Sequence, residues 1–373
     1  QTLFGEAILR RGDFVRSRDG GSTWSVLKVP DFVNIAASRI FVDPARSGTV
    51  WAATGNGLYK SEDLGDSWAP FAFDGVQIHT FAVDPRDPRR LFVGGEFESA
   101  DDSIALSTDG GETWNVASLP SPTFTSEFIF PLTTGPIYLH ASEIYRSDDL
   151  GATWRRLPDP APSDGFPAAE KLAVSPSGAL FAATHDGVFR STDRGETWQP
   201  NPERPASPDG FMSSVVALAG SQPAVLAASG RGVWRSQDDG LRYRDASRGL
   251  FDSVVIDVAA ASDETSNVYA LSNEVRASSQ EGPWLRGLHG EGKGFERVNV
   301  DPTDGDHAFA HGVGGLFESR DGGVTWSPVP GGFRPWGRYR DALGSIFTHP
   351  TEAGRIFAAP IEGGLFQNRL SGF

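Results

Sequence analysis

Carboxylate side chains that could take part in catalysis are spread over short segments between strand-like stretches of the chain. A glycosidase needs two carboxyl groups about 5–10 Å apart, one acting as acid and the other as base or nucleophile. Spacing along a chain does not set the distances between loops, so the sequence leaves the choice of pair open. The carboxylates placed in predicted loops are Glu96, Glu98, Asp101, Asp102, Glu143, Asp186 and Glu274, among which Glu98, Asp102, Asp186 and Glu274 are the leading candidates.

A second candidate site is the segment 331–341, which departs from the pattern of the rest of the chain. It places three arginines beside two aromatic rings, namely Arg334, Arg338 and Arg340 with Trp336 and Tyr339. Planar guanidinium groups pair well with a carboxylate, a phosphate or a sugar acid. We therefore predict a binding patch here, the alternative being that these arginines pair with neighbouring acids in a structural role. Further predicted binding residues in loops are His185, Arg231 and His311.

Phenylalanines recur in the loops that precede the buried strands. The residues are Phe32, Phe166, Phe211, Phe251 and Phe295. One interpretation is that they wedge between neighbouring structural units, which is the common use of a large apolar ring. The other is an aromatic-lined mouth for an apolar ligand or a sugar ring.

The sequence offers little for metal or cofactor chemistry. His307 and His311 lie four residues apart, which on a strand separates them by about 13 Å along one face. No third ligand accompanies them, and the chain has no cysteine. It also has neither a Gly-rich phosphate loop nor a serine nucleophile elbow. We therefore predict no metal and no cofactor.

Composition narrows the classes of partner. The chain of 373 residues carries a formal net charge of −15, and an acidic protein repels nucleic acid and anionic membranes. No run of apolar residues is long enough for a transmembrane helix. The absence of cysteine and the strand-like sequence directly after Gln1 fit a trimmed secreted or periplasmic chain, although a cytosolic chain can look alike. We expect a monomer.

An eight-residue motif of the form Ser-x-Asp-x-Gly-x-Thr-Trp recurs every 40–46 residues. Its eight copies begin at Ser17, Ser61, Ser107, Ser147, Ser191, Ser236, Ser278 and Ser319, the sixth and seventh being altered. The conserved-type acids and indoles of these copies are Asp19, Asp63, Asp109, Asp149, Asp193, Asp238, Asp321, Trp24, Trp68, Trp114, Trp154, Trp198 and Trp326. The carboxylate is suited to accept backbone N–H groups of a turn, and the Gly to supply positive φ. These residues are therefore predicted to be structural.

The elements around the motif resemble one another from copy to copy. A buried strand, a second apolar strand and the two strands flanking the motif make four strands per unit. Such a period indicates the blades of a β-propeller. Counting strands favours eight blades over seven or nine, in a single domain over residues 1–373. A blade shared between the two termini closes the ring, and residues 2–9 form its least certain strand.

The octapeptides resemble the Asp-box, or bacterial neuraminidase repeat, over nearly the whole chain. This resemblance implies an all-β propeller of four-stranded antiparallel blades, with the binding face opposite the boxes. Families with the repeat include sialidases, xyloglucanase-type glycoside hydrolases, sortilin-type receptors and photosystem assembly factors. The nearest string to the sialidase Arg-Ile-Pro motif is Arg39-Ile40-Phe41, which lacks the proline. Xyloglucanase-type enzymes use two tandem propellers, whereas this chain has the length of one.

These observations favour a binding or scaffolding propeller that engages a glycan, peptide or protein on the loop face. The alternative is a glycoside hydrolase or lyase that uses the loop carboxylates. The segment around Trp336 is the place where we expect activity.

Overall fold

The computed structural model describes residues 14–18, 25–27, 37–43, 46, 48–97, 103–119, 127–131, 135–161, 169–201, 211–219, 223–248, 250, 255–260, 267–272, 274–279, 284–289, 295–301, 304–312, 315–329, 343–348 and 356–360. These residues form eight four-stranded antiparallel sheets. In the described part of the chain there is no helix of the length and apolar character needed to cross a membrane.

The first four blades follow the chain order. Blade 1 contains β3 (Ala37–Val42), β4 (Val50–Thr54), β5 (Gly57–Ser61) and β6 (Ala69–Ala72). Blade 2 contains β7 (Ile78–Val83), β8 (Leu91–Gly95), β9 (Ser103–Ser107) and β10 (Asn115–Ser118). Blade 3 contains β11 (Glu127–Ile129), β12 (Ile137–His140), β13 (Ile144–Ser147) and β14 (Arg155–Arg156). Blade 4 contains β15 (Lys171–Val174), β16 (Leu180–Thr184), β17 (Gly187–Ser191) and β18 (Gln199–Pro200).

Three further blades and one composite blade complete the set. Blade 5 contains β19 (Met212–Leu218), β20 (Ala224–Ser229), β21 (Gly232–Ser236) and β22 (Arg244–Asp245). Blade 6 contains β23 (Asp257–Ala260), β24 (Asn267–Leu271), β25 (Glu274–Ser279) and β26 (Leu285–His289). Blade 7 contains β27 (Phe295–Asp301), β28 (Asp304–Gly312), β29 (Gly315–Ser319) and β30 (Ser327–Pro328). The shared blade contains β1 (Phe14–Ser17), β2 (Ser25–Leu27), β31 (Leu343–Thr348) and β32 (Ile356–Pro360).

The second strand of each blade is the most deeply buried. Strands β4, β16 and β20 have every side chain buried. Their sequences are continuous apolar runs rather than alternating ones, because each blade packs between two others and both of its faces are covered. The core is thus a series of layers between blades. Trp51 of blade 1, for example, packs on Phe81 of blade 2 with ring centroids 5.0 Å apart.

The ring is closed by the shared blade. Strand β1 from the N-terminal part pairs with β32 from the C-terminal part, with Val15 opposite Ala358 and Ser17 opposite Ile356. The first strand of each blade contacts the first strand of the next around the whole circle. The prediction of an eight-bladed all-β propeller with a shared blade is therefore confirmed. The predicted strand over residues 2–9 lies outside the described residues.

The meander connectivity gives the ring two distinct faces. Turns from first to second strand and from third to fourth strand lie on one side, which we call the box face because the octapeptides are third-to-fourth turns. Hairpins from second to third strand and the connections between blades lie on the other side, the loop face.

Candidate functional site

The octapeptide turns close themselves through side-chain hydrogen bonds. In the fifth copy the Asp193 carboxylate accepts the Ser191 hydroxyl at 2.8 Å and the Thr197 backbone N–H at 2.9 Å. The Ser191 hydroxyl oxygen in turn accepts the Gly195 N–H at 2.7 Å. Gly195 has φ +87°, and a Cβ there would meet a Leu157 methyl at 2.5 Å. Glycine at this place is therefore required by both conformation and space.

The same carboxylate pattern recurs at every described box aspartate. These residues are Asp63, Asp109, Asp149, Asp193, Asp238 and Asp321. Hydrogen bonds from Thr197 lower the pKa of Asp193 to about 2, and a hydrogen bond from Ser67 lowers the pKa of Asp63 to about 2. Carboxylates held ionised by their own turns are unsuited to act as acids at neutral pH. Asp19 and Trp24 lie outside the described residues.

The box tryptophans lie beneath their turns. The indole N–H groups of Trp68, Trp154 and Trp326 donate to the carbonyl of the glycine three residues earlier at 3.0–3.1 Å. Trp198 instead donates to the Pro158 carbonyl of the preceding blade at 2.9 Å. Trp114 packs edge-on against Phe73 of blade 1 at 4.9 Å between ring centroids. The box face is therefore occupied by turn-stabilising contacts.

Short hairpins position the candidate residues on the loop face. At the end of β16 the Thr184 hydroxyl donates to the Gly187 carbonyl at 2.9 Å and accepts the Asp186 N–H at 3.0 Å. This two-residue turn leaves the Asp186 side chain exposed and His185 half-buried. In blade 5 the Ser229 hydroxyl accepts the N–H of Arg231 at 3.2 Å, and the Arg231 side chain is exposed.

One register position on the first strands is polar in all eight blades. It lies one residue before the first deeply paired apolar residue, near the loop face. We call this set the strand-start ring, and its members are Arg39, Thr80, Glu127, Lys171, Ser214, Asp257, Arg297 and Ser345. In five of the eight blades the register shifts just before this position. Such β-bulges re-aim side chains and are common beside functional sites.

Members of the ring contact one another across blades. Lys171 Nζ of blade 4 lies 4.0 Å from Asp257 Oδ1 of blade 6, so this pair spans the first strand of blade 5. From that strand the Ser214 hydroxyl donates to the same carboxylate oxygen at 3.0 Å. Three consecutive blades thus contribute to one cluster of a cation, a carboxylate and a hydroxyl near the centre of the ring.

A second group adjoins this cluster on blades 4 and 5. His185 Nε2 lies 3.2 Å from Glu170 Oε1, and the imidazole packs on Phe211 with ring centroids 4.7 Å apart. Glu170 is adjacent to Lys171 in the chain, so the two groups form one polar patch with an aromatic edge. Such a combination can hydrogen-bond sugar hydroxyls and present a ring for apolar contact.

His140 borders the patch from blade 3 as a neutral donor. Its Nε2 donates to the Ala169 carbonyl at 3.0 Å. Burial lowers the pKa of His140, outweighing this hydrogen bond and the nearby charges of Glu127 and Glu170. The imidazole is therefore uncharged at neutral pH and fixes the connection into blade 4.

Other loop-face carboxylates have cations or hydroxyls as neighbours. Glu274 Oε2 accepts Arg276 Nη2 at 2.8 Å, and Glu96 lies 3.3 Å from His79 Nε2. Glu143 Oε2 accepts the Tyr145 hydroxyl at 2.9 Å and lies 2.9 Å from Arg156 Nε.

The structure brings some of the predicted residues together and not others. His185, Asp186, Arg231 and Glu274 lie at the loop-face ends of blades 4, 5 and 6. His311 is not in a loop as predicted: it lies within β28, and its side chain is fully buried. The reason is that β28 extends to Gly312, so the turn begins only after that residue. The predicted residues outside the described part are Glu98, Asp101, Asp102, Arg334, Trp336, Arg338, Tyr339 and Arg340.

The two interpretations of the loop phenylalanines both have an example. Phe295 is buried and packs edge-on against Phe317 at 5.8 Å between centroids, as expected of a wedge. Phe211 is half-buried and lies against His185 at the patch. Phe32, Phe166 and Phe251 lie outside the described residues.

The sequence analysis missed the strand-start ring, together with the neighbouring Glu170. A signal was present, because each apolar first strand is preceded by a polar residue. Aligning the blades on their second-to-third hairpins would have placed Lys171, Ser214 and Asp257 at one position. In the described portion of the chain no group of three or more His, Asp or Glu side chains is arranged to hold a metal ion.

Comparisons with known proteins agree with this architecture. The family model described as BNR/Asp-box repeat matches residues 189–200. A xyloglucanase from Hypocrea jecorina is 30% identical over 244 residues, which cover 51% of this chain and 29% of that protein. The chain thus spans less than a third of this relative.

Solved structures show the same fold at low sequence identity. A GH74 xyloglucanase from Xanthomonas campestris superposes with a TM-score of 0.52 at 19% identity, covering 87% of this chain and 57% of that one. Sqt1 from Chaetomium thermophilum superposes with a TM-score of 0.60 at 15% identity, covering 88% and 96%. The chain is therefore a β-propeller of the BNR/Asp-box type, and its resemblance holds at the level of repeat and fold, with no one enzyme subfamily matched.

Proposed function

We propose that this chain is a glycoside hydrolase-type propeller that binds a xyloglucan-like glucan on its loop face. The observation that carries the proposal is the polar patch formed by the strand-start ring with Glu170, His185 and Phe211. It combines carboxylates, a cation and an aromatic edge on the face opposite the self-closed boxes. The xyloglucanase relatives favour this alternative over the binding module that the sequence analysis preferred.

The proposed chemistry is hydrolysis by two carboxyl groups. One carboxylic acid protonates the glycosidic oxygen, while the other carboxylate activates water or attacks the sugar carbon. Asp257 and Asp186 of the patch are candidates, together with Glu274 and the sequence-predicted Glu98 and Asp102. Lys171 and Ser214 would orient Asp257, since both contact the same carboxylate oxygen.

A non-catalytic glycan-binding or peptide-binding propeller is the second candidate. It is favoured by the cation neighbours of Glu170, Asp257 and Glu274, which suit fixed hydrogen-bonding roles. In either case the partner is a ligand of the loop face. A polymeric glucan does not cross membranes, so we further propose a secreted or periplasmic protein. We propose that residues 1–373 act as one domain and as a monomer.

The test is to incubate the chain with xyloglucan, an unsubstituted β-glucan and a sialoside. Release of reducing ends measures turnover, and affinity electrophoresis measures binding. Asp257→Asn and Asp186→Asn, with Glu274→Gln, Glu98→Gln, Asp102→Asn and Arg338→Ala, are expected to include variants with at least about 100-fold lower turnover of xyloglucan. Glu112→Gln, an exposed change on the box face, is the matched control.

The outcomes separate the two candidates. Turnover that is lost in one or more carboxylate variants but kept in the control supports the hydrolase. Binding without turnover supports the second candidate and overturns the first. A chain that neither binds nor cleaves any of the glycans overturns both glycan proposals.

A further inference from the structure

A cavity of about 490 Å³ lies on the box face between the outer strands of blades 5 and 6. Four arginines line it, namely Arg235, Arg242, Arg244 and Arg248, and Trp284 forms part of its wall. This is a concentration of positive charge in a protein of net charge −15. Its volume falls within the range of small-ligand sites, roughly 300–1,000 Å³.

Elsewhere in the ring the arginine that precedes the box serine clamps the next blade. Arg146 Nη1 donates to the Arg194 carbonyl at 2.7 Å, and Arg190 Nε donates to the Asp239 carbonyl at 2.7 Å. Arg16 makes the same contact with the Leu64 carbonyl. In each case the acceptor is the fourth residue of the next box.

Arg235 holds the equivalent position in blade 5, but the box that follows is altered. The segment Ser278–Trp284 has seven residues instead of eight and has Gln280 where the aspartate stands in other copies. Residues 280–283 of this box lie outside the described part of the chain. Where this irregular box adjoins blade 5, the cavity opens and Arg235 lines it.

Arg235 also stands directly opposite Arg244 across strands β21 and β22. Like charges facing each other across two strands are unfavourable. Blade 3 contains the same arrangement, with Arg146 opposite Arg155. The two sites can therefore be compared within one molecule.

In blade 3 two carboxylates neutralise the arginine pair. Asp148 lies 2.6 Å from Arg146 Nη2 and 3.9 Å from Arg155 Nε. Glu196 lies 3.0 Å from Arg146 Nη1 and also pairs with Arg155. Asp148 is the second residue of its own box, and Glu196 is the sixth residue of the next box.

In blade 5 both of these carboxylates are replaced in the sequence. The second box residue is Gln237, and the sixth residue of the next box is Pro283. Two carboxylates do line the cavity, but each is engaged in its own turn. Asp238 accepts the Ser236 hydroxyl and the Arg242 N–H, and Asp245 accepts the Ser247 N–H.

The remaining cations keep the cavity positive. Within the described residues no ion pair involves Arg244 or Arg248. A ligand carboxylate placed between Arg235 and Arg244 would take the position that Asp148 and Glu196 hold in blade 3. Planar guanidinium groups favour such a bidentate partner.

We propose that this cavity binds a carboxylated sugar of the hexuronic acid class. The carboxylate lies between Arg235 and Arg244, and the sugar ring lies against the apolar wall that includes Trp284. The site is on the face opposite the proposed glucan patch, so the inference stands or falls separately from the proposed hydrolase activity.

The test is calorimetric titration of the whole chain with D-galacturonate, D-galactose and inorganic phosphate. Galacturonate is expected to bind at least about tenfold more tightly than either other probe, because only it offers both a carboxylate and a sugar ring. Arg244→Gln is expected to weaken galacturonate binding by at least about tenfold. Arg155→Gln changes the equivalent arginine of blade 3 and is expected to leave binding unchanged.

A second variant tests the internal comparison without removing an arginine. Gln237→Asp supplies the carboxylate that blade 3 already has, so it is expected to raise the thermal unfolding temperature and to weaken galacturonate binding. Absence of galacturonate binding by the unmodified chain overturns the proposal, as does equal binding by Arg244→Gln. Phosphate binding as tight as galacturonate binding overturns the assignment to a sugar acid.

Discussion

At the scale of single residues, the same chemical group has different roles on the two faces. The box carboxylates are saturated by the hydroxyl and N–H donors of their own turns, which lower the pKa of Asp193 and Asp63 to about 2. The loop-face carboxylate Asp257 instead meets donors from two other blades. Carboxylates whose partners are distant in sequence are the ones available to bind a ligand held between blades.

His307 is a buried histidine whose charge contributes to stability. Its Nε2 lies 2.7 Å from Glu318 Oε1, and its Nδ1 lies 3.4 Å from Asp301 Oδ2. Burial alone would lower the pKa of His307, but hydrogen bonds with Asp301 and Glu318 outweigh it and raise the pKa above 6.5. The protonated form is thus favoured by folding.

We predict that His307→Gln reduces the free energy of unfolding more at pH 6 than at pH 8.5. The stabilisation is fully present below the unfolded pKa of about 6.5 and is lost as the pH rises through the raised folded pKa. Urea unfolding of both proteins at the two pH values measures the difference. A difference that stays constant with pH would contradict this assignment of charge.

At the scale of elements, the blades are joined by side chains that reach from one third strand to the next box. Arg190 donates from Nε to the Asp239 carbonyl and from Nη2 to the Asp239 carboxylate, each at 2.7 Å. Asp239 has φ +57°, so its exposed carbonyl depends on a turn that glycine-like backbone geometry sets. The clamp links the packing of the sheets to the geometry of the boxes.

We predict that Arg190→Gln lowers the free energy of unfolding by about 1–3 kcal/mol, because two charge-assisted hydrogen bonds are lost. Arg194→Gln is the matched control, since the Arg194 side chain is 65% exposed. Denaturant unfolding measures both variants. Equal small effects would show that the contact between blades 4 and 5 does not depend on the clamp.

At the scale of the whole molecule, ring closure depends on strands from opposite ends of the described chain. The order of the shared blade is β2-β1-β32-β31, so the pairing of β1 with β32 leaves no unpaired inner edge. Closure of this kind removes the edges at which sheets aggregate. It also makes the stability of blades 1 and 7 depend on the same composite sheet.

Ending the chain after residue 342 removes β31 and β32 and opens the ring. We predict a loss of cooperative thermal unfolding and the appearance of large aggregates, because edges of β1, β3 and β27 become exposed. Removal of residues 365–373 keeps every described strand and is the control. Size-exclusion chromatography and thermal unfolding distinguish the outcomes, and a monomeric, cooperative product of the longer truncation would argue against closure by the shared blade.

Much of the fold is determined locally and was predictable from the sequence. The boxes close through contacts between residues no more than four apart, as in Asp193 with Thr197, so their spacing reveals both the turn and the number of blades. The continuous apolar second strands follow from burial on both faces. Only the position of His311, which the sequence analysis assigned to a loop, shifted by the length of one strand end.

The candidate sites were decided by the tertiary structure. Lys171 meets Asp257 at a separation of 86 residues, and Arg146 meets Glu196 from the next blade. The repeat predicts that such positions are equivalent, but only the packing of blades around a closed ring determines which side chains touch. The sequence by itself therefore determined the blades and their turns, whereas the loop-face patch and the arginine cavity depend on contacts between blades, which arise from long-range packing.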